Sequence, residues 1–408
     1  MGSHMGEDRA ERATSAGPLE GVRVIEMGQL IAGPFCGQLL GDFGADVIKI
    51  EAPGAGDPLR KWGQPGFPLF WEQLGRNKRT VTANLRMKEG QDIARKLIAG
   101  ADMLIENFRP GTLEGWNLSP DQLRQENPGL IVIRVSGYGQ SGPYAKRAGF
   151  GGIGEAMGGW RHIVGDADRP PSRVGVSIGD SLAATFACLG ALAALHNRSK
   201  TGQGQVVDSS LFESVLHVME SLVPDYVIGG HVRGRSGSIL PGVAPSNAYK
   251  CRDGYYLIAA NQDTVFARLC VAMGRPALSS DPRYATHAGR GEHQAELDEL
   301  IEVWTSGLSV DEVEALMVAA GVPAGRVYTA KEMLADEHFR ARESLVEVDH
   351  PKWGKVPMQN AFPKLSDTPG SVRRIASQSV GQDNQDVYGQ LLGFDDATLD
   401  ELQRKDII

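Results

Sequence analysis

Asp180 is the single carboxylate in GVSIGDSLAATFACLGALAAL (175–195), and it stands just ahead of the longest apolar run in the chain. Two chemistries suit an acid at that place. One is structural: an aspartate at a helix mouth accepts a backbone N–H, here near Leu182 or Ala183, and its strong preference for that position favours this reading on the residues alone. The other is catalytic: a carboxylate stabilised as an anion by a helix N-terminus is a nucleophile toward an activated acyl group. Ser181 is an alternative cap, which leaves Asp180 at the same helix mouth.

Short polar signatures recur along the chain: AGP (32–34), GRNKRT (75–80), ENFRPG (106–111), SGYGQSGP (136–143) and TGQGQ (201–205). In open α/β sheets, ligands collect where such loops leave the carboxyl ends of strands. Arg76, Lys78, Arg79 and Arg109 are together suited to neutralise a phosphorylated ligand. Taken singly, each reads as a solvated surface charge. A dinucleotide site needs GxGxxG at the first strand–helix turn, and EMGQLIAGP offers only Gly28 and Gly33, although Glu51 is suitably placed as the acid. P-loop, zinc-protease and hydrolase readings are set aside. Four scattered cysteines, Cys36, Cys188, Cys251 and Cys270, form no metal-type pair and read as reduced thiols in a cytoplasmic protein. No metal is expected.

These residues need a scaffold, and the pattern supplies one. VRVIEM (22–27), DVIKIE (46–51), TVTANL (80–85), DMLIEN (102–107) and LIVIRVSG (130–137) are strand-like, with helical stretches from Pro34 to Phe43 and over 88–99. Strands separated by helices imply βαβ crossovers and a mainly parallel sheet. The run 182–195 is too short to span a bilayer and reads as a buried helix; a turn at Gly202 and Gly204 then leads into another helix. A loop rich in Gly, Ser and Pro (229–247), a hairpin turning at Asp253-Gly254, and helices near 264–273, 293–306 and 310–320 read as a smaller α/β region. Expected boundaries are a tag remnant and loose terminus at 1–16, a large domain from 17 to 225, a small domain from 226 to 335, and a return segment from 336 to 408. With 41% hydrophobic residues, 23% charged residues and a net charge of −8, the chain is an ordinary globular protein with no basic block for nucleic acid.

GVRVIEMGQLIAGPFCGQLLGDFGADVIKIE, NKRT, ENFRPGTL, SGYGQSGPY, GVSIGD and KTGQGQVVD, in that order, resemble the class III CoA-transferases, a group that includes formyl-CoA and carnitine CoA-transferases. The resemblance runs from Gly17 to Ile408. It implies a Rossmann-like large domain, a small domain and an interlocked homodimer, with acyl-CoA and a carboxylic acid as substrates and no membrane partner. It implies that Asp180 attacks the thioester, passing through an aspartyl anhydride and an aspartyl-CoA thioester. Leu30, Ile31, Ala32, Lys78, Arg79, Asn107, Phe108 and Tyr138 match the family's cofactor contacts, and Arg76 and Arg109 join them as candidate phosphate contacts on their charge alone. Ile31 replaces a glutamine of formyl-CoA transferase, and Gly115 replaces a basic residue of many members. A glycine-bearing loop, 234–245, corresponds to the segment that covers the reactive aspartate in formyl-CoA transferase. The rival of the same fold is an α-methylacyl-CoA racemase, whose second proton carrier is a histidine after RAG; here that position is Phe150, which carries no proton. The other alternative is a non-catalytic CoA-binding protein. Arg147, Arg161 and Arg173 are candidate partners for a second carboxylate on the acceptor.

Overall fold

The computed structural model describes residues 17–408, so the expectation for 1–16 lies outside the described residues. The chain divides into two compact units. One comprises 17–160, 174–221 and 340–408; the other comprises 161–173 and 222–339. The excursion of 161–173 into the second unit carries no signal in the sequence.

The first unit is built on six strands: β1 (Arg23–Glu26), β2 (Asp46–Glu51), β3 (Lys78–Thr82), β4 (Met103–Glu106), β5 (Ile131–Ser136) and β6 (Val206–Ser210). All pairings are parallel and the order is β3-β2-β1-β4-β5-β6. Neighbouring residues on a strand face opposite sides of a sheet. Val24 and Ile25, Met103 and Leu104, and Ile131 and Val132 therefore divide between two cores. One core packs under α1 (Ala32–Asp42), the other under α3 (Lys88–Ala99), which follows α2 (Leu69–Gly75) in the chain. Apolar side chains are needed on both faces, so the middles of β1, β4 and β5 (VI, MLI and IVI) are continuously hydrophobic.

β6 corrects the sequence reading, which passed from the turn at Gly202 directly to a helix. VVDSS has too few apolar residues to announce a strand, and only its pairing with β5 makes it one. It is reached from α4 (Gly151–Met157) through α5 (Ile178–Thr201), a 24-residue helix stopped by Gly202 at φ 70°. By length and composition α5 could cross a membrane. In this fold it packs beside α1 with Ala183, Ala184, Ala187, Ala191 and Ala194 buried, small residues that let the helix approach the sheet closely. The unit closes with an antiparallel pair, Leu345–His350 with Gly354–Gln359, and two helices, Asn384–Leu392 and Asp396–Arg404.

The second unit holds a three-stranded antiparallel sheet: β7 (Ser246–Lys250), β8 (Tyr255–Ala259) and β9 (Ala324–Arg326). Helices Asp263–Ala272, Gln294–Thr305 and Val310–Ala320 pack with it around Tyr249, Tyr256, Phe266, Leu269 and Ile301. Arg290 is wholly buried at its centre, donating to the carbonyls of Ala244, Tyr284 and Asn261 and to Asp263.

Candidate active site

The chain moves outward from β1 through β2 to β3, then returns to β4 on the other side of β1. The loops leaving β1 and β4 therefore diverge, and a crevice opens between them at the carboxyl end of the sheet. Two cavities lie along that edge. The smaller, about 310 Å³, is walled by Gln29 to Ala32 after β1, by Asn107 to Arg109 after β4, by Ser136 and Gly137 at the end of β5, and by Asp180. The larger, about 530 Å³, follows the ends of β2 and β3 through Glu51, Ala52, Asn84 and Arg86 to Trp116. Gln29 and Phe108 line both.

Asp180 is not the cap of its helix. The helix starts earlier than its apolar run, with Ser177 at the cap position and Asp180 as third residue of the first turn; Ser181 bonds back to the carbonyl of Ser177. The helix N-terminus still favours the anion. Ser177 completes a GxSxG spacing, GVSIG (175–179), which the sequence reading passed over. It precedes a helix with no strand before it, so it lacks the strand–turn–helix geometry of a hydrolase serine. GYGQSG (137–142) likewise has the dinucleotide spacing after β5, but it enters turns rather than a helix.

Glycine at 151 is a requirement of this site. A methyl group there would lie 2.1 Å from Asp180 Oδ2, so the first turn of α4 passes the carboxylate with no room for a side chain. Phe150, the residue before Gly151, is 70% exposed and supplies an apolar wall of the cavity. The buried thiols do not compete as nucleophiles: burial pushes Cys188 up to about 11, and Cys36 is raised well above its usual value by burial.

The loop after β1 is held at close quarters. Gly28 and Gly33 approach so tightly that a Cβ on either would stand 3.0 Å from the other's Cα, and Asn107 closes over both. Asn107 Oδ1 accepts the N–H of Gln29 at 2.7 Å, and its Nδ2 donates to the Gln29 carbonyl at 2.8 Å. Ile31 carries no side-chain cap and packs toward Leu59, Trp71 and Leu74. The first amides of α1 have no intrahelical acceptor and Pro34 has none to offer, so this turn brings donors to the cavity wall. Phe108 sets its ring edgewise on Trp116, 5.0 Å between centroids. Its N–H donates to Glu106, whose carboxyl is pushed up to about 7 by burial despite the neighbouring Arg134.

Thus Leu30, Ile31, Ala32, Asn107, Phe108 and Arg109 share one cavity with Asp180. Tyr138 lies behind the wall, against Gly149. Three of the four expected phosphate cations are elsewhere. Arg76 is 1% exposed and grips Asp42 through Nη2 and Nε; Lys78 pairs with Glu26 at 2.7 Å; Arg79 is bidentate to Asp46. They sit at the amino end of β3, whereas ligands gather at carboxyl ends. The cations that do line the cavities are Arg109 and Arg86, and neither guanidinium has a partner among the described residues. Arg86 was missed, although its place just after β3 in ANLRM marks it under the same rule. An added side chain at Gly115 would meet open space. Arg147 stacks on Tyr144, and Arg161 and Arg173 belong to the second unit. The loop 234–245 also belongs to that unit, where Gly237 donates to the carbonyl of Gly165.

A doubly wound parallel sheet with a switch-point crevice, an anion-seeking pair of arginines and a carboxylate at a helix mouth defines a protein that handles a large anionic small molecule. Residues 19–384 match the model of CoA-transferase family III. The chain belongs to that family and is a CoA-transferase of acyl-CoA metabolism. It is 56% identical over 395 residues to succinyl-CoA–D-citramalate CoA-transferase of Chloroflexus aurantiacus, covering 96% of this chain and 98% of the relative. It is 41% identical to the beta subunit of succinyl-CoA–L-malate CoA-transferase of the same organism, covering 97% and 99% of the two chains. A crystal structure of a CAIB/BAIF family protein from Brucella suis superposes with a TM-score of 0.82 at 33% identity, covering 92% of this chain and 99% of that one.

Proposed function

We propose that the chain moves CoA from succinyl-CoA to a small hydroxylated dicarboxylic acid of the citramalate or malate kind, through covalent intermediates on Asp180. The observation that carries the mechanism is the position of the Asp180 carboxylate in a cavity continuous with the β1 and β4 loops, where Arg109 is unpaired among the described residues. The relatives' names support the substrates.

The Asp180 carboxylate attacks the thioester carbonyl; the C–S bond breaks, leaving a mixed anhydride and CoA thiolate. The thiolate attacks the aspartyl carbonyl, succinate departs, and an aspartyl-CoA thioester remains. The acceptor carboxylate attacks that thioester, thiolate leaves again, and its return to the acceptor's acyl carbon restores Asp180. No net proton or electron is needed. An anhydride and a thioester are close in energy, so neither intermediate traps the enzyme. The first amides of α1 are placed to stabilise negative charge building on the carbonyl oxygen. CoA would run from Asp180 past Phe108 into the larger cavity, with Arg109 and Arg86 on its phosphates.

Racemisation needs a second proton carrier, and Phe150 offers an apolar wall instead. We further propose that loop 234–245 shields the anhydride from water, that two chains interlock as a homodimer, and that the enzyme works in the cytoplasm. Apolar residues left exposed on the single chain, Leu189 on α5 and Ile228 at 87%, support burial by a second copy.

The test is oxygen transfer. With succinate labelled by heavy oxygen in its carboxylates, reverse turnover should place the label in the peptide containing Asp180, and Asp180→Ala should abolish transfer while still binding CoA. An unlabelled peptide in a turning-over enzyme rules the anhydride out.

A further inference from the structure

The loop Gly28–Ile31, whose Gln29 lines both cavities and whose Leu30 and Ile31 line the smaller, is anchored to buried charge. Lys49 Nζ donates to the Gly28 carbonyl at 2.6 Å and to Glu26 Oε1 at 2.9 Å, and it lies 2.8 Å from Asp57 Oδ2. Lys78 meets the other oxygen of Glu26 at 2.7 Å. All four side chains are at most 1% exposed. Asp57 Oδ1 accepts the N–H of Leu30 at 3.1 Å and that of Leu59 at 2.9 Å. The Asp57 amide in turn donates to Glu51 Oε1, which Arg60 also holds.

Leu30 needs such a hold. Its φ is 63°, a left-handed conformation that is strained for a residue bearing a side chain. A balanced set of two lysines and two carboxylates, taken wholly out of water, adds little net stability over apolar packing of the same volume. What it does supply is geometry: each charge must keep its partners, so the backbone groups tied to it are held too.

We propose that Asp57 is a positioning residue for the acyl-CoA thioester: by holding the Leu30 amide and Lys49 together, it keeps Gln29–Ile31 in the one conformation that forms the shared wall of both cavities. This rests on the transferase reading above. Asp57 itself lines neither cavity, so its action on substrate passes through the loop.

The test compares Asp57→Ala and Asp57→Asn with the unaltered full chain. In Asp57→Ala, amide exchange across 28–34 should quicken about tenfold while exchange across 183–195 of α5, whose alanine face is buried, is unchanged. The KM for succinyl-CoA should rise about tenfold, with the KM for the acceptor acid moving less than about twofold. Asp57→Asn keeps an oxygen for the Leu30 amide and should recover most of both losses; if the alanine variant does not fold, its intermediate exchange and KM values carry the test. Unchanged exchange at 28–34, or equal rises in both KM values, would overturn the proposal. An unaltered chain that transfers no CoA would sink the transferase reading, and the exchange comparison would still decide whether Asp57 holds the loop.

Discussion

Asp180, Gly151 and Glu106 are the residues where small changes should have the largest and most separable effects. Gly151→Ala places a methyl within contact of Asp180 Oδ2 and must turn the carboxylate aside. A misplacement of about 1 Å costs about a hundredfold in rate, so kcat should fall by that order with the KM for succinyl-CoA little changed in steady-state assays. Glu106 gives a pH signature. Its carboxyl titrates near 4.5 when free and is raised to about 7 by burial, so the folded state binds its proton more tightly than the unfolded state. Its contribution to stability is then full below the unfolded value and disappears as pH rises through the folded value. Urea midpoints of the parent should fall between about pH 5 and about pH 8, and Glu106→Gln should flatten that slope. An unaltered slope would mean another group governs it.

At the scale of elements, α5 does two jobs. Its buried alanines fit it against the sheet beside α1, and its first turn presents Asp180. Ala187 is fully buried against that packing. Ala187→Leu should destabilise the fold by about 1–3 kcal/mol through overpacking, read as a lowered urea midpoint. The helix was legible from composition alone; its onset was not. The apolar run starts at Leu182, yet the helix begins at Ile178, which moves Asp180 from the expected cap into the first turn. Strand β2 falls where DVIKIE was expected to form one, with Val47 in one core and Ile48 and Ile50 in the other. β6 escaped notice because VVDSS is strand-like only beside β5.

For the whole molecule, the interlocked dimer is what the resemblance implies, and the apolar surface left exposed on a single chain supports that proposal. Light scattering should give twice the 43.8 kDa mass of one chain, and dilution should not release monomers if the chains interlock. A monomer at working concentration would exclude this architecture.

Local pattern was enough to determine a parallel α/β sheet, a buried alanine-rich helix and a carboxylate at that helix's mouth. These features depend on residue type and on periods of two or 3.6 residues, which neighbours along the chain set. Which charges face the ligand was decided only by tertiary structure. Arg76, Lys78 and Arg79 look as available in sequence as Arg86 and Arg109, but strand direction puts the first three at the amino end of β3 and the other two at carboxyl ends. The carboxylates of Asp42, Glu26 and Asp46, brought from 30 or more residues away, then engage the first three. A charge has no assigned partner until the chain folds, and so its role is set by pairings that sequence order does not record.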